Sequence, residues 1–127
     1  MSTKIKLFFT LCLLSIQSVF GMNEFSVAPR EELDLILQSK HLSFTAILAF
    51  QDENFERSSE YFLKSLELRK QFQFGSVAYM NILKLYLHSE NNKGGSSICS
   101  SYFTLSYKDK VLLEKESDIQ EMLKNCE

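Results

Sequence analysis

Apolar side chains recur every three or four residues along most of this 127-residue chain, and that spacing constrains its fold most strongly. Proline occurs once, at Pro29, where its missing N–H suits the first turn of a helix. Leu33, Ile36 and Leu37 follow at helical spacing, and the pattern continues to Phe50. Because later segments repeat this spacing, the sequence predicts an all-α fold.

Short polar segments divide the helical pattern. Residues 52–54 predict a tight turn in which Asn54 caps the next helix, and Gly75 with Ser76 ends that helix and caps another. Residues 90–97 form the clearest loop. The predicted helical segments are residues 29–50, 55–71, 77–89, 98–107 and 109–125.

Three of these boundaries stay open at the level of sequence. Residues 29–50 form either one long helix or two helices, because Ser39 could be the N-cap of a second helix. Residues 98–107 also have strand-like content, so they form a helix or a strand. The last segment is one helix or two, because Ser117 and Gln120 resemble a capping box.

The first 21 residues have the pattern of a secretory signal peptide. Lys4 and Lys6 precede an apolar run over residues 7–16, and Val19 and Gly21 supply small side chains at the expected cut. The run is shorter than the roughly 20 apolar residues of a membrane span. We therefore expect that the signal is cleaved, that the protein is secreted or periplasmic, and that residues 22–127 form one domain with no stable membrane span. The alternative is that residues 1–21 remain as an uncleaved anchor or form a buried first helix.

Charge and motif content argue against several functional classes. Because Lys4 and Lys6 are two of the 14 basic residues, cleavage leaves 16 acidic residues facing about 12 basic ones, a poor match for nucleic acid. His41 and His88 are the only histidines, and neither has a second metal ligand at helical spacing. No nucleophile elbow or phosphate loop occurs. We expect no enzyme activity, no metal and no cofactor.

The expected mature chain contains two cysteines, Cys99 and Cys126, because Cys12 lies in the signal. In an oxidising compartment an even pair predicts a structural disulfide. It would close a loop of about 27 residues and contribute about 3–4 kcal/mol to stability. Two buried free thiols are the alternative.

Residues 54–68 resemble the second helix of a tetratricopeptide repeat (TPR). Ser58 and Ser65 occupy the family's small positions, Phe62 the aromatic position, and Ala46 the small position of the preceding helix. Small side chains at these positions allow two helices to approach closely. The serines replace the more usual alanines, and Glu53 stands where the family has a glycine.

A second copy is similar to the family over residues 78–86, with Tyr79 at the bulky position, and Cys99, Phe103 and Ser106 repeat the small–aromatic–small spacing. The resemblance implies a short TPR-like solenoid, a right-handed superhelix of antiparallel hairpins. The implied copies span residues 39–72 and 76–107, with capping helices over residues 29–38 and 109–125. A plain helical bundle is the alternative.

Members of this family mostly bind peptides or protein segments on the concave surface of their first helices, so the resemblance implies a protein- or peptide-binding module or assembly adaptor. Carried over by position, the candidate concave face comprises Lys40, Ser43, Ile47, Phe50, Gln51, Met80, Lys84, Leu87 and His88. The alternative is that these residues do not bind a peptide but pack beneath the N-terminal helix of the domain. A different function, an exported carrier of a small apolar ligand, follows if phenylalanines, of which the full chain has eleven, line a cavity.

Overall fold

The computed structural model describes residues 30–126, and within this range it contains helices and no strand. The all-α prediction is therefore confirmed, and residues 98–107 form no strand. The proposed signal peptide, residues 1–21, lies outside the described residues. The helices are α1 (Arg30–Gln51), α2 (Phe55–Arg69), α3 (Val77–Lys93), α4 (Ser97–Thr104), α5 (Tyr107–Leu113), α6 (Ser117–Met122) and a short 3-10 helix (Leu123–Asn125).

The first helix is one continuous element of 22 residues. The expected division into a capping helix over residues 29–38 and a repeat helix from Ser39 is wrong, because no glycine or proline interrupts α1 and the Ser39 side chain is buried against α2 rather than capping a new start. After α1 the chain turns at Glu53, which has a positive φ of 60°. Asn54 then caps α2 by accepting a hydrogen bond from the Arg57 N–H at 3.3 Å, as predicted.

Serine side chains form the contact between α1 and α2. The Ser65 hydroxyl donates to the Ser39 carbonyl oxygen at 2.9 Å and lies 2.7 Å from the Ser43 hydroxyl oxygen, and all three side chains are fully buried. Near the start of α2, Ser58 donates to Ser89 of α3 at 2.8 Å. Because serine is small and these hydroxyls are satisfied, the helices approach closely without an unpaired polar group.

The third helix is central, as its apolar character on most sides predicts. Nine of its 17 residues are buried, and Leu83 and Leu87 have no solvent exposure. It packs between α2 and α4, and Phe62 and Leu66 of α2 join the same apolar core. No helix in the described part of the chain is both long enough and apolar enough to cross a membrane.

This third helix extends four residues beyond its predicted end, to Lys93. The polar residues after Ser89 suggested a loop, but Glu90 is buried and accepts hydrogen bonds from Ser97 at 2.7 Å and Ser101 at 2.6 Å. Lys93 forms an ion pair with the same carboxylate at 2.8 Å. These contacts stabilise the last turn of α3 and attach α4 to it.

The predicted packed face of Cys99, Phe103 and Ser106 does not form. Helix α4 ends at Thr104, Phe103 is 59% exposed, and Ser106 is exposed at the N-cap of α5. The physical reason is that the Ser106 hydroxyl accepts a hydrogen bond from the Asp109 N–H at 3.2 Å, which starts a new helix where the repeat pattern requires the old one to continue.

The predicted capping helix over residues 109–125 is also divided, into α5, α6 and the 3-10 helix. Two helices were one of the alternatives left open, but the proposed capping box is wrong. Ser117 is the first helical residue of α6, and Glu116, whose side chain makes no capping hydrogen bond, is at the N-cap.

Cys99 and Cys126 form a disulfide, with their Cα atoms 5.4 Å apart. This confirms the predicted pairing over the alternative of two free thiols. The bond joins α4 to the residue after the 3-10 helix, so it closes a loop that contains both α5 and α6.

Removal of this disulfide should lower the free energy of unfolding by about 3–4 kcal/mol, because the unfolded chain regains the entropy of a 27-residue loop. Urea unfolding of the double variant Cys99→Ser/Cys126→Ser, compared with the unchanged protein, measures the loss. A reductant should destabilise the unchanged protein by the same amount and leave the variant unaffected. Equal stability of the two oxidised proteins would contradict the assignment.

Stability should also depend on the charge of Glu90. Burial tends to raise the pKa of Glu90, but hydrogen bonds from Lys93, Ser101 and Ser97 outweigh burial and hold the pKa below its ordinary value of 4.5. A carboxyl group whose pKa is lower in the folded state stabilises the fold above its unfolded pKa and loses that contribution as pH falls through the folded pKa.

Glu90→Gln should therefore cost about 1–3 kcal/mol at neutral pH, and the difference from the unchanged protein should shrink below about pH 4. Urea unfolding across this pH range measures both values. Glu114→Gln, at an exposed position of the chain, is the matched control and should change stability by less than about 0.5 kcal/mol at any pH. A Glu90→Gln penalty that does not depend on pH would refute the charged role of Glu90.

Candidate functional site

The outer side of α1 carries an apolar stripe that reaches solvent. Leu37, Phe44 and Leu48 are 47%, 44% and 43% exposed, and His41 is exposed between them. We call these four residues the α1 free face. The opposite side of the same helix is buried and includes Ile36 and the serines that contact α2.

Helical geometry explains why α1 has two apolar sides. The residues of the α1 free face are spaced by four, three and four, which is the heptad spacing of a helix that packs against another helix. The small residues Ser39, Ser43 and Ala46 lie on the other side, where they allow α2 to approach. The helix therefore packs on α2 through small side chains and leaves large ones in solvent.

Along residues 31–51, every exposed charged side chain other than His41 is acidic. The turn after α1 adds exposed Asp52 and Glu53, and the exposed charged side chains at the start of α2 are Glu56 and Arg57. The only lysine in that stretch, Lys40, is 5% exposed and belongs to the buried side. The exposed acidic residues are Glu31, Asp34, Asp52, Glu53 and Glu56.

The concave face proposed from sequence occupies a different surface. On α1, the side chains of Lys40, Ser43, Ile47 and Phe50 are buried, and Gln51 is half-buried. Ile47 and Phe50 belong to the apolar core that they share with α2 and α3. This part of the proposed face is therefore engaged in packing α1 onto the rest of the domain.

The part of the proposed face on α3 meets the chain's own C-terminal region. Leu87 is buried, and Met80, Lys84 and His88 are half-buried. Lys84 Nζ lies 3.3 Å from Glu116 Oε1 and 3.6 Å from Asp118 Oδ1, and His88 Nε2 lies 3.2 Å from Asp118 Oδ2.

These contacts also affect the charge state of Asp118. Burial tends to raise its pKa, but the hydrogen bond with His88 and the charge of Lys84 outweigh burial and lower it. Asp118 therefore stays ionised opposite α3, while Ile119 inserts into the core with no solvent exposure. Helix α6 thus covers the α3 side of the face proposed from sequence.

A largely buried polar cluster joins Lys70, at the end of α2, to α3 and α5. The Tyr79 hydroxyl donates to Asp109 Oδ1 at 2.5 Å, and Lys70 Nζ lies 3.3 Å from Asp109 Oδ2. Burial and the neighbouring Asp109 carboxylate raise the pKa of Tyr79, so its hydroxyl remains a proton donor to that carboxylate. Because Tyr79 and Asp109 have no solvent exposure, this cluster stabilises the fold rather than meeting a ligand.

Metal ligands are not gathered anywhere in residues 30–126: no group of three or more histidine, cysteine, aspartate or glutamate side chains could hold an ion there. His41 is exposed on α1, and His88 pairs with Asp118. Neither histidine therefore belongs to a set of candidate ligands within this part of the chain.

Comparison with known proteins adds no relative. No protein-family model matches the chain, and neither a curated protein nor a solved structure is significantly similar to it. The functional argument therefore rests on the geometry of the exposed surface.

Sequence reasoning missed the α1 free face because it treated all apolar residues of α1 as one core pattern. A usable signal was present. Leu37, Phe44 and Leu48 follow one helical stripe, while Ser39, Ser43 and Ala46 follow another. The small-residue stripe is the one that suits close packing against α2, which leaves the large-residue stripe outside.

Proposed function

We propose that this chain is an exported protein-binding module that contacts its partner through the α1 free face. The observation that carries the proposal is the exposure of three large apolar side chains, Leu37, Phe44 and Leu48, along one stripe of one helix. Single exposed apolar residues are common on protein surfaces, but a contiguous stripe is typical of an interaction site. The partner is a protein segment that buries this stripe.

The geometry of the stripe favours a protein segment over a small molecule. Its residues lie along about three turns of one helix rather than around a concave pocket, and concave pockets are typical of small-ligand sites. Helix-to-helix docking uses the spacing that these residues have. The proposal therefore ranks protein binding above the carrier function.

The TPR-like part of the proposal is limited to the α1–α2 hairpin. It is supported by Ala46, Ser58, Phe62 and Ser65, which are fully buried at the positions that the resemblance assigns to close packing. The positive φ of Glu53, at the position where the family has a glycine, is consistent with it. Export is supported by the signal-like residues 1–21 and by the disulfide, which is typical of oxidising compartments.

A photo-crosslinking amino acid placed at Phe44 in the full chain should form a covalent adduct with a protein partner in the cells that export this chain. Leu37→Asp in the same chain should reduce the adduct about tenfold, because a charge would be buried in the contact. Gel analysis and mass spectrometry measure the yield, and circular dichroism checks that the variant is folded.

The control is the same crosslinker at Gln71, which is exposed after the end of α2 and does not belong to the α1 free face. Equal yields at Phe44 and Gln71, or no adduct at Phe44, would contradict the proposal. A lipid that co-purifies with the unchanged protein in native mass spectrometry, and is lost when the crosslinking amino acid replaces Phe44, would favour the carrier function instead.

A further inference from the structure

Charges at both ends of the α1 free face limit the chemistry of its partner. Asp34 lies one turn before Leu37, and Asp52 lies one turn after Leu48, and both are exposed. Glu31 and Glu53 extend the acidic regions outward, and α1 offers no exposed lysine between them. An apolar segment that docks here would therefore meet negative charge at each end.

We infer that the partner presents an amphipathic helix with lysine or arginine at both ends of an apolar stripe. This inference rests on the proposed function of the α1 free face and adds the chemistry of the segment that binds there. Opposite charges at the rim of such a contact accelerate association and select between partners more than they add affinity.

Heptad spacing is the reason that the partner segment is a helix. From Leu37 to Leu48 the stripe spans about 16 Å at the helical rise, so a partner of about three turns covers it. Residues 30–126 contain no strand edge to which an extended segment could add backbone hydrogen bonds. Side-chain packing between two helices suits the heptad spacing of the stripe.

Like charges argue against a second copy of α1 as the occupant. In a parallel pair, Asp34 would face Asp34 and Asp52 would face Asp52 of the other copy. In an antiparallel pair that sets Leu37 opposite Leu48, Asp34 would lie close to Asp52 of the other copy. Both arrangements place acidic groups together at each end of the contact, which is unfavourable.

A second copy could instead offer its helix α5, which has exposed Tyr107, Lys108 and Val111. It has only seven residues, which extend about 10 Å and leave much of the stripe uncovered. A separate protein segment of about three turns or more therefore fits the α1 free face better.

Two synthetic peptides of three heptads test the inference. Both carry leucine at the a and d positions; one has lysine at the remaining positions near both ends, and the other has glutamate there. Fluorescence anisotropy should show that the full chain binds the lysine peptide about tenfold more tightly at low ionic strength, with a smaller difference at high salt.

The variant Asp34→Lys/Asp52→Lys should reverse this preference, because it inverts the charge at both ends of the stripe. Glu67→Lys/Glu114→Lys makes the same change in net charge at exposed positions of α2 and just after α5, and it should leave the preference unchanged. Circular dichroism and thermal unfolding verify that both variants fold.

Each remaining outcome counts against a stated claim. Equal affinity for the two peptides, or an unchanged preference in the Asp34→Lys/Asp52→Lys variant, overturns the basic partner and leaves the binding function standing. If a folded chain binds neither peptide, helix docking on the α1 free face is overturned. Concentration-dependent self-association that Phe44→Asp abolishes would identify a second copy as the occupant and overturn the inference.

Discussion

Close contact between α1 and α2 through buried serines determines which side of α1 remains in solvent. Ser65 reaches both Ser39 and Ser43, and each of these hydroxyls has a hydrogen-bond partner. Small side chains with satisfied hydroxyls permit an approach that leucine or phenylalanine would prevent. Because the helix can present only one side to α2, the large residues of the α1 free face are left outside.

The rest of the domain packs around the central helix α3, and the C-terminal region of the chain covers α3. Glu90 attaches α4 to the end of α3, Asp118 pairs with Lys84 and His88, and the disulfide holds Cys126 against α4. The contacts of Asp118 with Lys84 and His88 occupy the surface of α3 that the repeat resemblance implied for peptide binding. The two sides of the domain thus differ: the α3 side is closed by the chain itself, and the α1 side presents apolar groups to solvent.

Much of the fold could be predicted because its signals are local. Helical spacing, the caps at Asn54 and Ser76 and the single pair of cysteines in the described chain each act over a few residues or have one simple solution. The burial of Ser58 and Ser65 was also predictable, because small residues seven apart indicate a close helix contact.

The failures came where tertiary contacts override local pattern. The sequence predicts that Glu90 lies in a loop. In the structure, Ser97 and Ser101 of α4 donate hydrogen bonds to its carboxylate, and α3 extends past it. Ser106 looks like a small packing residue, yet its hydroxyl caps α5. The α1 free face was missed for a related reason: sequence gives the two stripes of α1, but only the partner helix determines which one is buried.

Hydroxyl-radical footprinting of the folded protein, with mass spectrometric measurement of oxidation at each residue, tests this account of α1 most directly. Leu37, Phe44 and Leu48 should be oxidised several-fold faster, after correction for intrinsic reactivity, than Ile36 and Ile47 on the buried side, because radicals reach only exposed side chains. Protection of the first group together with oxidation of the second would show that α1 faces the other way, and the serine contact would no longer explain the fold.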